Sequence, residues 1–433
     1  MSATAWLAIA IFATAYVLIA TERVHRVAAA LGGAALMLLI GATDAEHAFF
    51  SEEAGIDWNV IFLLLGMMLI VAVLQRTGVF EYIAIWAAKR ARGRPFQVMV
   101  ILVLVTAVAS AALDNVTTVL LVAPVTLLVC DRLGVPVAPF LIAEALASNI
   151  GGAATLVGDP PNIIIASRAG LSYNDFLVHM APIVVLLLVV FVGLCRWLFR
   201  GAFAYDAERA ASVMALRERD AIRDGRLLVV SIVVLTVVTL AFVLHTVLHL
   251  EPSIVAILGG LALLAASRLN AEDVVKDVEW PTLVFFAGLF IMVGALVSTG
   301  VIDLVADAAA AAVEGRLFLA SMLLLWGSAA LSAIVDNIPY VATMSPVVAE
   351  LVNAAGGGRD TQVLWWSLAL GADLGGNATA IGASANVVVL GMAERAGRRI
   401  SFWQFTRYGL AVTAVTIVIC VPYLWLRYFV LSG

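Results

Sequence analysis

One stretch of this chain returns. Residues 57–82 read DWNVIFLLLGMMLIVAVLQRTGVFEY, and 222 positions later residues 279–304 read EWPTLVFFAGLFIMVGALVSTGVIDL. Trp58 answers Trp280, Gly66 answers Gly288, and Thr77-Gly78 answers Thr299-Gly300. The same offset carries Asp114-Asn115 onto Asp336-Asn337 and Pro124 onto Pro346. Slightly later, ALASNIGGAATLVGDPPNIII (145–165) answers ALGADLGGNATAIGASANVVV (369–389) at an offset of 224. Two long matches at nearly one offset define an internal repeat. They divide the chain into a first repeat (1–199), a charged connector (200–226) and a second repeat (227–433).

The repeated segments are apolar enough to fix the solvent. Of 433 residues, 63% are hydrophobic and 13% charged, with a mean hydropathy of +1.07. That excludes a soluble domain and a nucleic-acid partner, and it predicts an all-α polytopic membrane protein whose main partner is the lipid bilayer. The N-terminal apolar run lacks a basic flank and a cleavage site, so it reads as a retained span. Cys130, Cys195 and Cys420 lie in apolar runs without metal spacing and read as small core residues.

Segment 95–133 is too long for one span and breaks at Asp114, which predicts a re-entrant hairpin. Five spans then remain in each half. An odd number inverts the second repeat, giving ten spans and two hairpins that enter from opposite faces, each half also carrying an unwound helix. With the connector placed in the cytoplasm, all 25 lysines and arginines except Arg168, Arg316, Arg359 and Arg427 fall inside. This follows the positive-inside rule and puts both termini outside a bacterial-type inner membrane. Segments 79–91 and 301–313 are amphipathic and are expected along the interface.

Four polar breaks interrupt the apolar segments, at 114–118, 148–162, 336–340 and 372–386. Broken backbone at membrane depth is tolerated only where protein buries it or a cavity solvates it, and paired breaks in inverted halves point to a transporter's site. Asp114 and Asp336 have two readings: a carboxylate that carries a proton or cation, or an N-cap for the returning half-helix. Asn115 and Asn337 offer amide carbonyls to a ligand or close the turn. Thr117 and Thr118 offer hydroxyls or bond back to helix carbonyls, and their counterparts are Pro339 and Tyr340. In the first unwound helix the candidates are Ser148, Asn149, Gly151, Gly152, Thr155, Gly158, Asp159 and Asn162. In the second they are Asp373, Gly375, Gly376, Asn377, Thr379 and Asn386. The glycines allow unwinding and close approach, and Pro160 and Pro161 prevent a continuous helix. Asp159 faces Ala383 in the repeat, whereas Asp373 faces Asn149, so the second acid sits at different places in the two halves. Glu144 either faces the same cavity or makes a contact between neighbouring spans.

No catalytic set emerges. His25, His47, His179, His245 and His249 fall near span ends without metal spacing. Neither Asp159 nor Asp373 has the Gly-x-Gly-Asp context of an intramembrane aspartyl protease.

DNVTTVLLVAPVTLLVCDRLG followed by LIAEALASNIGGAATLVGDPPNIII resembles the ion transporter superfamily, in the branch of the P protein and the arsenite permeases, alongside citrate-type carriers. The resemblance runs over essentially the whole chain. It implies a scaffold and a transport domain, hairpin tips and unwound helices meeting at the site, elevator-type movement, and a homodimer. Dicarboxylate carriers of the superfamily place Ser-Asn-Thr at the tips, where this chain has Asp114-Asn115-Val116 and Asp336-Asn337-Ile338. Added carboxylates repel a dicarboxylate unless neutralised. The expected function is therefore secondary active transport of a small inorganic ion or oxyanion, by arsenite-type efflux or Na⁺/H⁺ exchange. H⁺ or Na⁺ is the coupling ion, and no other cofactor or metal is expected. An anion channel and a Na⁺-coupled citrate or dicarboxylate carrier are the alternatives.

Overall fold

A computed structural model describes residues 1–21, 23–313 and 315–431. Among them the chain is helical, without strands. The first half contains α1 (Ala3–Ala20), α2 (Arg26–Leu39), α3 (Ala45–Phe50), α4 (Trp58–Gln75), α5 (Val79–Arg90), α6 (Pro95–Ala112), α7 (Asn115–Leu133), α8 (Val137–Gly152), α9 (Pro160–Ala169), α10 (Tyr173–His179) and α11 (Ala181–Leu198). The connector forms α12 (Ala207–Met214). The second half contains α13 (Gly225–Leu248), α14 (Pro252–Ser267), α15 (Ala271–Lys276), α16 (Trp280–Ser298), α17 (Val301–Val313), α18 (Leu317–Ser332), α19 (Asn337–Ala354), α20 (Val363–Gly375), α21 (Ser384–Arg395) and α22 (Phe402–Trp425). From α2 to α9 and from α14 to α21 the two halves follow one order.

Among the described residues, eight helices are long and apolar enough to cross a membrane. Two of them, α6 and α7, are the arms of the first hairpin. Ala107 lies against Gly151, and the Ala111 carbonyl accepts from Thr155, so α6 runs beside α8 in the same direction. Asn115 bonds Asn149 while Thr126 bonds Glu144, which sets α7 against α8. The chain therefore doubles back at Leu113-Asp114. In the second half Tyr340 of α19 donates to Ser328 of α18 across the matching turn. The arms of 18 and 19 residues are each about 27 Å long at ~1.5 Å rise per residue, which is itself span length.

Two bodies follow from the packing. The frame consists of α1, α2 and α16 on one side and α4, α13 and α14 on the other. Its close crossings rest on a repeated glycine. A Cβ on Gly66 would stand 2.3 Å from the Ala256 carbonyl carbon, and one on Gly288 would stand 2.9 Å from that of Ala30. Small residues allow this backbone approach where lipid supplies no hydrophobic drive. The halves thus exchange partners: α2 of the first packs on α16 of the second, and α14 of the second packs on α4 of the first. The core body comprises the hairpins and broken helices, again with exchange, α7 on α21 and α19 on α9.

Both long helices unwind, at 153–159 and 376–383. Pro160 and Pro161 begin α9, where proline is compatible with a first turn. The second break has no proline, so proline does not explain both. What they share is an asparagine that collects the freed carbonyls. Asn162 donates to the carbonyls of Gly152 (3.4 Å) and Thr155 (3.1 Å), and Asn386 to those of Gly376 (2.8 Å) and Thr379 (2.9 Å). Unwound backbone buried in protein needs such partners.

The three cysteines are buried and unpaired, as core residues should be. Segment 79–91 forms α5, whose Phe80, Ala84, Ile85, Ala87 and Ala88 are buried against the first hairpin and the connector. Lys89 binds Glu218 at 2.6 Å and Arg223 binds Glu81 at 2.7 Å, so the connector is strapped to α5.

Candidate functional site

The two hairpin tips meet. Asp114 caps α7 through the Thr117 amide at 2.7 Å, and Asp336 caps α19 through the Ile338 amide at 3.1 Å. Capping satisfies N–H groups left open at a helix start. The next residues converge on one carboxylate: Asn115 Nδ2 donates to Asp159 Oδ2 at 2.9 Å, and Asn337 Nδ2 donates to the same oxygen at 3.3 Å. Both asparagines therefore act here as donors, where the sequence suggests carbonyl contacts or turn closure. Asp159 is fully buried at the start of α9 and makes no ion pair among the described residues.

An amide chain ties the halves together. Asn115 also donates to Asn149 Oδ1 (3.0 Å), and Asn149 donates to Asn377 Oδ1 (2.9 Å) and Asn386 Oδ1 (3.2 Å). Asn377 in turn donates to the Leu146 carbonyl at 3.3 Å. Asp373 occupies the place that Asn149 fills in the first half, with Asn162 as its polar neighbour. The consequence is an excess of acceptors. Both oxygens of Asp373, together with Asn162 Oδ1, Asn115 Oδ1 and Thr118 Oγ1, are buried without a strict hydrogen-bond partner among the described residues. Asp373, Asp336 and Asp114 all stand close enough to Asp159 for their charges to act on it. Buried acceptors crowded around carboxylates are costly unless a proton or cation joins them.

Other candidate residues engage neighbouring backbone. Ser148 turns its hydroxyl onto its own helix, at the Ala145 carbonyl. Thr155 and Thr379 fasten the breaks to the hairpin arms, at the carbonyls of Ala111 (2.5 Å) and Ala333 (2.6 Å). Gly151 and Gly375 lie against Ala107 and Ala329, and Gly152 faces the Gly158 carbonyl, as Gly376 faces that of Gly382. These glycines serve close packing of arm and break. Glu144 bonds Thr126, so of its two readings the contact between neighbouring helices is the one observed.

A cavity of about 510 Å³ reaches the second tip, lined by Arg26, Glu279, Thr282, Phe285, Asp336 and Ser384 among others. Its counterpart by the repeat, about 400 Å³ and lined by Asn59, Leu63, Leu156, Ile163 and Glu251 among others, includes neither tip. Arg26, Ser384, Thr282 and Glu279 do not stand out in the sequence. The one signal is Ser384, which stands where the other half has Pro160.

A helical frame around paired hairpins, with a buried carboxylate and amide cluster where their tips meet, is the build of a membrane transporter. The comparisons agree. Residues 16–371 match the CitMHS family, described as Citrate transporter, and the chain belongs to that family. It is 59% identical to an uncharacterized transporter of Mycobacterium tuberculosis, over 98% of this chain and 99% of that one. It is 34% identical to the human P protein, over 98% of this chain and 60% of the P protein. The Alcanivorax borkumensis YdaH transporter, whose structure was described as having an unusual topology, shares the fold. Its TM-score is 0.61 at 17% identity, over 91% of this chain and 88% of that one.

Proposed function

We propose that this chain is a secondary active transporter of the inner membrane that moves a small inorganic ion or oxyanion, with H⁺ or Na⁺ as coupling ion. The observation that carries the reading is the set of unpartnered acceptors beside Asp159 and Asp373. Oxygen-only ligands suit Na⁺, and carboxyl groups crowded together in a buried site suit a proton. The inverted arrangement of the repeats, the cytoplasmic connector and the outside termini rest on the distribution of basic residues along the chain. Elevator-type alternating access is supported by the division into frame and core, and by a cavity that reaches Asp336 and Val116 at the tips while its repeat counterpart reaches neither tip.

Arsenite-type efflux and Na⁺/H⁺ exchange lead the substrate classes. A Na⁺-coupled citrate or dicarboxylate carrier is the second reading, favoured by the family description. Flux into proteoliposomes, measured for arsenite, Na⁺, citrate and chloride with and without a pH gradient, separates these readings. Saturable counterflow of one substrate, driven by a cation gradient, is expected. A linear, voltage-driven chloride current is the outcome for a channel.

A further inference from the structure

Arg26 opens α2 in the frame, yet its guanidinium reaches the core. Nη1 donates to Ser384 Oγ at 3.0 Å, and Ser384 Oγ donates to Asp336 Oδ2 at 2.5 Å. Nη2 donates to Thr282 Oγ1 at 3.1 Å, and that hydroxyl donates to Glu279 Oε2 at 3.1 Å. The guanidinium carbon lies 5.5 Å from the Phe285 ring centroid. Arg26, Thr282, Glu279 and Phe285 belong to the frame side, and Ser384 and Asp336 to the core. The relay has no twin. By the repeat, Ser384 corresponds to Pro160 and Thr282 to Val60, neither with a side-chain hydroxyl. The packing of Gly66 on Ala256 and of Gly288 on Ala30 aligns Arg26 with Pro252.

We propose that Arg26 is a positioning residue: a latch that holds the second hairpin tip to the frame through Ser384, kept closed by the charge on Asp336. The inference rests on the reading of the tips as the coupling-ion site. Ser384 can accept from Arg26 and donate to Asp336 at once, so the hydroxyl relays one charge to the other. Charge-assisted hydrogen bonds of this kind are about twice as strong as neutral ones. A proton or Na⁺ on Asp336 removes the charged acceptor and frees the hydroxyl, and the core can then part from the frame. The other titratable groups around Asp336 are His25 and Glu279 at the cavity wall, Tyr16 of α1, Tyr340 of its own helix, and Asp114 and Asp159 across the tips. None of these bonds the Asp336 carboxylate among the described residues.

The test places a single cysteine at Val388, which lines the cavity, in full-length protein with Cys130, Cys195 and Cys420 replaced by alanine. Its rate of labelling by a soluble maleimide reports the position of the core. Arg26→Gln and Asp336→Asn are each expected to shift the rate about threefold or more in one direction, and together no further than either alone. Arg26→Lys is expected to restore part of the wild-type rate. Ser384→Ala removes only the hydroxyl and is expected to match Arg26→Gln; it replaces that variant in the cycle if the latter does not fold. Additive shifts, or a rate unmoved by both Arg26→Gln and Ser384→Ala, would overturn the latch. A wild-type rate indifferent to Na⁺ and pH would contradict the coupling reading, while a non-additive cycle would still uphold the latch.

Discussion

The side-chain amide of Asn337 donates to the Asp159 carboxylate at 3.3 Å across 178 residues of sequence, and Asn115 does the same at 2.9 Å from the other hairpin. One carboxylate thus joins both tips. Removing either amide leaves a buried carboxyl group with fewer donors, so Asn115→Ala and Asn337→Ala are each expected to destabilise by about 1–3 kcal/mol. Because they share a partner, the double variant should depart from the sum by about 0.5 kcal/mol or more. Unfolding in mixed detergent micelles measures this, and strict additivity would show that the tips act independently.

Asp373 is poorer in donors: by strict geometry neither of its oxygens has a hydrogen-bond partner among the described residues, and Asn162 is its polar neighbour. Asp373→Asn restores the residue that Asn149 represents in the first half and removes one of the carboxylates whose charge acts on Asp159. In cation-free buffer at neutral pH the variant should be at least as stable as the wild type. Na⁺ at ten times its dissociation constant stabilises a folded site by about 1.4 kcal/mol. That increment, or the equivalent on acidification, should appear in the wild type and vanish in Asp373→Asn. Thermal unfolding across a Na⁺ and pH series reads both effects.

Frame packing gives a prediction free of charge effects. Gly66→Val forces a side chain into the Ala256 backbone and should destabilise by about 1–3 kcal/mol. Gly193 in α11 has open space around it, so Gly193→Ala should leave stability unchanged or raise it by up to about 1 kcal/mol. The same unfolding assay compares them.

Outside the apolar helices, Asp44 caps α3 and pairs with His47 at 2.9 Å. The His47 amide and then its ring hold the Asp44 carboxyl below its usual range, while the hydrogen bond and charge of Asp44 raise the His47 imidazole. The histidine's contribution is full below its ordinary value and fades as pH rises through the raised one. The carboxylate's contribution is full above its ordinary value and fades as pH falls through the lowered one. The turn is therefore best held between the two. Asp44→Asn should lower the His47 midpoint in a histidine-selective NMR titration.

Much of this architecture is legible in the sequence. The repeat and the hairpin turns at Asp114 and Asp336 follow from spacing, while the meeting of the tips and unwound helices is what the family resemblance implies. Which group donates to which is not legible there. Asn115 and Asn337 answer each other in the repeat, yet both point to Asp159, which has no equivalent in the other half. Ser148, Thr155 and Thr379 are ligand candidates in sequence, and which carbonyls their hydroxyls donate to is read only from the structure. Arg26 counts in the sequence only as a loop cation, since its partners lie 256 and 358 residues away.

The central claim is that the cluster around Asp159 couples a cation to transport. Counterflow in proteoliposomes holding wild-type or Asp159→Asn protein, for whichever substrate the flux panel identifies, tests it most directly. Saturable, cation-gradient-driven counterflow is expected in the wild type and is expected to be lost in a well-folded Asp159→Asn protein. Unchanged gradient dependence in that variant would contradict it.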